Sequence, residues 1–331
     1  MNFKGTRKRS QFDLELEVEN MGAHLNAYTS REQTTYFAKC FAHDTEKAVE
    51  ILSDILLNSV YGSREIENER GVILREMQEV EQNMQEVVFD HLHAGAYNGC
   101  SLSGTILGPI ENIKSLNRND MLDYIRTFYK GQRMVLCGAG GVEHEQLVDF
   151  AEKYFGKIER GSAEVLKYEP GVFRNSYQIF PNKAMEQIYG CLSVEGTSWT
   201  HPDNIATQIV NVMLGSYDRT QSQGVAGLTL LGDEVAKQDL GVQSFMSFTT
   251  NYKDTGLTGT YFCVDDAKAL QQFTKTITSV WKRLCHEVDE RKLNDAKRTI
   301  FLNMLLMLDG STPICEDIGR YFNLISFDYF N

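Results

Sequence analysis

The sequence predicts an α+β protein of two similar units, each an antiparallel β-sheet packed with α-helices. Three observations carry that reading. A hairpin pattern followed by a helical pattern occurs near Tyr36 and recurs near Tyr261. A long helical pattern follows each of them. The length, 331 residues, suits two ordinary domains better than one small one.

Taken in order, HLNAYTS alternates in polarity, SREQ is a polar turn and TTYFAKCF alternates again, so 24–41 predicts a hairpin. DTEKAVEILSDILLNS opens with Asp-Thr and carries apolar residues at helical spacing. A second helix is predicted from about residue 65 to residue 97. MLDYIRTFY reads as helix, RMVLCGAGG as a strand entering a glycine turn, and EHEQLVDFAEKYF as helix. Residues 161–174, with Gly161, Pro170 and Gly171, are the linker candidate, which divides the chain into 1–160 and 175–331. Beyond it, SFMSFTTNYKDTGLTGTYFCV is strand, turn and strand, while DDAKALQQFTKTITSVWKRL and ERKLNDAKRTIFLNMLLML are helices. Matching Tyr36 to Tyr261 sets Glu69 against Ala296 and Glu76 against Asn303, so the fold itself does not require those acids.

The net charge of -12 argues against a nucleic-acid footprint, which needs a basic face, and leaves room for a cationic ligand. Seven scattered cysteines without a Cys-x-x-Cys pair fit reduced, buried thiols and exclude a disulfide framework or a thiolate zinc site. No apolar run approaches the roughly 20 residues of a membrane span. The basic start MNFKGTRKRS, followed by polar sequence, is not a secretory signal, and the chain opens in mid-element, as a truncated start would.

The stretch ERGVILREMQEVEQNMQEVVFD, residues 69–90, is crowded with carboxylates. On one continuous helix Glu69 and Glu76 lie a heptad apart, within about 20° of each other. Glu65, Glu79, Glu86 and Asp90 would share their flank, beside an apolar face of Ile73, Met77, Val80, Met84 and Val87. Such a stripe suits a solvated acid face, a surface for a basic partner, or a site for a metal or a cationic substrate. His91 and His93, two apart, face different ways on a helix and read as surface or packing residues. GAGGV, 138–142, lacks the third glycine of a dinucleotide fingerprint, because Glu143 stands there. Cys285 and His286 are adjacent in a helix, face different ways and make no nucleophile-base pair.

FKGTRKRS, VENMGAHLNAYTSREQTTYFAK, ERGVILREMQEV, QEVVFDHLHA, TILGPIENI and LDGSTPICEDIGR together resemble the β-type branch of the mitochondrial processing peptidase family. These are inverted-zincin metallopeptidases of the pitrilysin (M16) class, and the core 1 subunits of the respiratory bc1 complex are close relatives. The resemblance runs from Phe3 to about Arg320. It implies a zinc site (Zn2+) held by a His-x-x-Glu-His motif and a later glutamate. By resemblance Glu76 is that distal ligand and Glu69 the carboxylate that orients the site. It further implies that Glu86 and Asp90 receive a substrate arginine, that Asn26 and Ala27 lie on the strand edge where the peptide pairs, and that Phe3 walls the position after the cut. The implied substrates are basic presequence peptides, the implied partner a related non-catalytic α subunit, and the implied place the mitochondrial matrix. A structural role in the bc1 complex is the alternative. No His-x-x-Glu-His occurs in the 331 residues, so the resemblance implies an inactive chain as it stands. After DIGR the ending YFNLISFDYFN departs from the family pattern, which implies incomplete units at both ends.

Overall fold

The computed structural model describes residues 1–161, 169–221, 229–238 and 240–329. In chain order the helices and strands of the first half are α1 (Gln11–Asn20), β1 (His24–Thr29), β2 (Thr34–Lys39), α2 (Thr45–Leu57), α3 (Ser63–Val80), α4 (Met84–Ala96), α5 (Ile110–Ser115), α6 (Arg118–Phe128) and α7 (His144–Phe155). Those of the second are β3 (Ile188–Glu195), α8 (Asn204–Leu214), β4 (Ser216–Asp218), α9 (Leu230–Lys237), β5 (Val242–Asn251), β6 (Gly256–Val264), α10 (Ala267–Leu284), α11 (Glu290–Met307) and α12 (Ser311–Tyr329). They form two compact units. One comprises Met1–Glu79, Thr105–Tyr168 and Met307–Asn331, the other Val80–Gly104 and Glu169–Leu306. Of the predicted linker, residues 162–168 lie outside the described residues.

In the first unit, α1 starts at a capping box. The Ser10 hydroxyl accepts the Asp13 N–H, and the Asp13 carboxylate accepts that of Ser10. The helix ends at Asn20, and Gly22, two residues on, turns the chain back into β1 with a φ of 58° that an L side chain resists. β1 and β2 pair antiparallel in the predicted hairpin register, with Asn26 opposite Phe37 and Ala27 opposite Tyr36. The core beneath is Leu14 of α1 with Ile51, Ile55 and Leu56 of α2, joined by Tyr36, Tyr129 and Phe155. Among the described residues this sheet has two strands only. The predicted strand at RMVLCGAGG is not one: Met134 is extended, but no described strand pairs with it, and extended backbone without a ladder partner is not a sheet element.

Just before α1, Arg9 is buried in a cage of carboxylates from α1 and α2. Its Nε donates to Glu17 at 2.8 Å, Nη1 to Asp54 at 2.7 Å and Nη2 to Glu50. Thr6 Oγ1 and Asn58 Nδ2 complete Asp54. Burial alone would raise the Glu50 pKa, but hydrogen bonds from Arg9, Lys8 and Lys47 and the Arg9 charge outweigh it and hold it at about 2.

The second unit is built on one antiparallel sheet of order β3-β6-β5-β4. β6 is central and buried along its whole length, so both its faces need cover. Phe262 and Val264 face one side, where Phe273, Ile277 and Val280 of α10 meet them. Leu257 and Tyr261 face the other, with Phe89 and Leu92 of α4. Gly256 is forced by crowding: a side-chain carbon there would come within 2.3 Å of the Thr197 carbonyl oxygen.

The hairpin-helix-helix order recurs as predicted, β1-β2-α2-α3 and then β5-β6-α10-α11. Glu69 and Ala296 are both the seventh residue of 18-residue helices, α3 and α11, and Glu76 and Asn303 are both the fourteenth. Ala296 is buried where Glu69 carries charge. All seven cysteines are free, as expected, but only Cys263 is buried outright: five are half-buried and Cys285 is exposed. Burial pushes the Cys191 thiol up to about 12.

Candidate functional site

The carboxylate stretch is not one helix. α3 ends at Val80, and α4 begins after Asn83, whose side-chain oxygen accepts the N–H groups of Gln85 and Glu86 at 3.1 and 3.4 Å. Asn83 Nδ2 donates in return to the Glu86 carboxylate at 3.0 Å. This cap stops one helix and starts the next, because a short amide side chain competes for backbone donors that a continuing helix would use. The shared acid flank expected from 65 to 90 therefore dissolves. Glu69 and Glu76 stay a heptad apart on α3, and Glu86 and Asp90 sit four apart on α4, which belongs to the other compact unit.

Glu69 is held by cations already present. Its carboxylate lies 3.1 Å from Lys4 Nζ and 3.7 Å from the Met1 amine, with 19% of the side chain exposed. Burial lowers the pKa of that amine, and the Glu69 charge opposes the shift. Beside them is a cavity of about 360 Å³ lined by Lys4, Gln11, Arg64, Glu65 and Glu69. Arg70 turns the other way and donates to the carbonyls of Ile113 and Leu116, tying α3 to the end of α5. Glu76 is exposed, with no hydrogen bond or ion pair among the described residues.

Zinc is the metal that the resemblance implies, and the residues present do not fit it by themselves. Among the described residues no group of three or more His, Cys, Asp or Glu side chains is placed to hold a metal ion. Glu76 is one ligand where about four are needed, and Glu69 is neutralised by Lys4.

The other predicted residues of this unit surround the hairpin. Asn26 is exposed on β1 and its side chain accepts the Ala27 N–H at 2.8 Å. Phe3 is half-buried and meets Tyr36 edge-on, with ring centres 6.2 Å apart, at the margin of the core. The segment before it is pinned through Asn2, which the sequence reading does not single out. Asn2 Nδ2 donates to Tyr36 Oη at 2.9 Å, Tyr61 Oη donates to Asn2 Oδ1 at 2.8 Å, and Ser59 Oγ donates to the Asn2 carbonyl at 3.1 Å. Burial, reinforced by Tyr129, pushes the Tyr36 hydroxyl far above its ordinary pKa, so it stays a neutral partner. A lone asparagine carries no periodicity, and only its partners show its role.

On α4, Glu86 is exposed in the first turn and Asp90 half-buried in the second. His91 and His93 are packing residues, as expected. His91 stacks on Phe180 at 3.8 Å, and His93 is buried with Tyr97 and Tyr252. Four residues apart, the two carboxylates lie on one face of α4.

Comparison with known proteins bears on both units. Residues 1–110 match the family described as insulinase (peptidase family M16), and residues 115–300 match the peptidase M16 inactive domain. The chain is 51% identical to the mitochondrial-processing peptidase subunit beta of Caenorhabditis elegans over 324 residues, covering 97% of this chain and 69% of that one. With the Bos taurus protein of the same name the identity is 51% over 321 residues, 97% of this chain and 65% of that one. The Saccharomyces cerevisiae counterpart is 44% identical over 96% of this chain and 70% of its own. The chain thus spans about two thirds of the length of these relatives. Among solved structures, a chain of complex III2 from Candida albicans superposes with a TM-score of 0.81 at 21% identity, over 92% of this chain and 73% of that one. A protease from Helicobacter pylori superposes with a TM-score of 0.83 at 16% identity, over 99% and 78%. At those identities the two structures speak for the fold, and the sequence matches speak for the family. The chain belongs to peptidase family M16 and is similar to the β subunits of mitochondrial-processing peptidase.

Proposed function

We propose that this chain is the β-type part of a presequence-processing peptidase and that its own residues supply substrate recognition. The observation that carries the reading is the 51% identity to a mitochondrial-processing peptidase β subunit over 97% of the chain. In this reading Glu86 and Asp90 of one unit accept an arginine guanidinium of a basic peptide, and in the other unit Asn26 and Ala27 offer a strand edge for backbone pairing and Phe3 an aromatic wall for the position after the cut. An overall charge of -12 steers such peptides inward.

Zinc and a related α subunit belong to the whole protein of this type, in the mitochondrial matrix, with Glu76 as one ligand and Glu69 orienting the site. With no His-x-x-Glu-His in the sequence, the 331 residues alone do not hydrolyse peptide. The division into 1–160 and 175–331 as two copies of one ancestral unit is part of the same reading, and the matched places of Glu69 and Ala296 support it. Among the described residues no helix is long and apolar enough to cross a membrane.

Fluorescence anisotropy with a labelled basic amphipathic peptide and an acidic one of equal length tests the reading. Preferential binding of the basic peptide, weakening as salt rises, is expected. Equal binding of the two would overturn it.

The likeness to a chain of complex III2 favours a second reading, a core subunit of a respiratory bc1 complex. Fold does not separate the two. Co-purification with respiratory-chain subunits in place of an α-type partner would favour the second.

A further inference from the structure

We propose that His93 is a positioning residue: through Tyr252 it fixes the roll of α4, so that Glu86 and Asp90 together present a fork that selects arginine over lysine. The proposal rests on the reading of those two carboxylates as substrate acceptors.

His93 is 3% exposed, and both of its ring nitrogens are engaged. Nδ1 lies 2.6 Å from the Phe89 carbonyl oxygen, which can only accept, so Nδ1 carries the proton. In the neutral ring Nε2 is then the acceptor, and the Tyr252 hydroxyl 2.6 Å away donates to it. The two bonds together hold the imidazole in a single orientation.

The far anchor is rigid. Tyr252 sits in the β5–β6 turn, where its N–H donates to the Thr255 carbonyl at 2.9 Å and its carbonyl accepts the Trp199 N–H at 3.0 Å. Its ring meets those of His93 and Tyr97 edge-on at 5.9 and 6.0 Å. One turn before His93, Phe89 packs on Phe248 with ring centres 4.7 Å apart.

Asp90 precedes His93 by three residues and Glu86 precedes it by seven, so all three lie within one sector of α4. Any roll of the helix that breaks the His93–Tyr252 bond re-aims both carboxylates at once. A guanidinium held by two parallel bonds is sensitive to that change, whereas an ammonium, a compact charge with rotatable donors, is not. Hydrophobic contact through Phe89 keeps α4 on the sheet without setting its angle as closely, because apolar packing is not directional.

Two variants test the assignment on the full chain. Tyr252→Phe deletes only the hydroxyl and keeps the ring contacts, and His93→Ala deletes the imidazole. The readout is the ratio of affinities for a single-arginine basic peptide and for the same peptide with lysine, measured beside Tm. The wild type is expected to prefer arginine. In Tyr252→Phe the ratio should fall by about threefold or more through loss of the bidentate geometry, with lysine-peptide affinity unchanged. His93→Ala should move the ratio in the same direction if it folds. If Asp90→Asn lowers the ratio while Tyr252→Phe lowers only Tm, the positioning role is overturned and the carboxylate reading stands. If the wild type itself shows no preference, both are overturned.

Discussion

Replacing Arg9 by alanine should destabilise the first unit by about 3–5 kcal/mol, the usual cost of leaving buried charge without its partner. The side chain is 2% exposed, and Glu50 and Asp54 around it are 13% and 6% exposed, so water does not replace the guanidinium. Without it Glu50 keeps only the more exposed Lys8 and Lys47, and buried Asp54 keeps hydrogen bonds from Thr6 and Asn58 but no cation. Lysine should recover only part of the loss, because one ammonium cannot reproduce three N–H bonds aimed at Glu17, Asp54 and Glu50. Denaturant midpoints for wild type, Arg9→Lys and Arg9→Ala read this order directly, and a loss below about 1 kcal/mol in Arg9→Ala, the value of a surface pair, would sink the argument. Acid should act on the same cage. Glu50 has its pKa lowered on folding to about 2, so its contribution is fully present above the ordinary carboxylate range and is lost as pH falls from about 4.5 toward 2. Arg9→Ala should show a much flatter stability profile over that window.

The second large effect concerns binding. Glu86→Gln combined with Asp90→Asn keeps the size of both side chains and removes both charges. Affinity for an arginine-bearing basic peptide should fall roughly tenfold to a hundredfold, since hydrogen bonds to a charged group are worth about 1.5–3 kcal/mol. The fold should tolerate the change. Glutamine at 86 retains an oxygen for Asn83 Nδ2, and the Asn83 Oδ1 cap takes backbone N–H groups that the substitution leaves in place. The control is Glu79→Gln with Glu81→Gln, which removes the same formal charge from exposed positions near the same break. Equal losses in the two double variants would mean that overall charge, and not an arginine fork, governs binding.

Much of this architecture is legible in apolar spacing. Both hairpins, the helices that follow them and the equivalence of Glu69 with Ala296 are visible because period two and period 3.6 differ strongly over such stretches. The break at Asn83 is not visible to periodicity, for Ile73, Met77, Val80, Met84 and Val87 keep helical phase across it. A local sign was nevertheless present: asparagine followed three residues later by glutamate, at Asn83 and Glu86, is a helix-start signature. β3, α8, β4 and α9 carry no assignment in the sequence reading. Part of the reason is that β3 packs apolar residues on both faces, Ile188 and Leu192 on one and Tyr189 and Cys191 on the other, so its alternation is weak. The converse error occurs at 134–139, where an apolar run has strand composition and no described partner.

The candidate site divides in a similar way. Glu69, Glu76, Glu86 and Asp90 stand out as charge on helices, but the sorting of these acids into two pairs on different compact units depends on one cap. Asn2, Tyr61, His93 and Tyr252 act through contacts distant in sequence, such as that between His93 and Tyr252 at a separation of 159 positions. No pattern within a short window reports such pairs.

The most direct test of the central claim joins the upstream segment of the Caenorhabditis elegans relative to Met1 and co-expresses the chimaera with an α-type subunit. The chimaera should carry stoichiometric zinc by metal analysis and cleave a presequence peptide, with both lost in Glu76→Gln. A folded chimaera paired with its α subunit that neither retains zinc nor cleaves the peptide would contradict that claim.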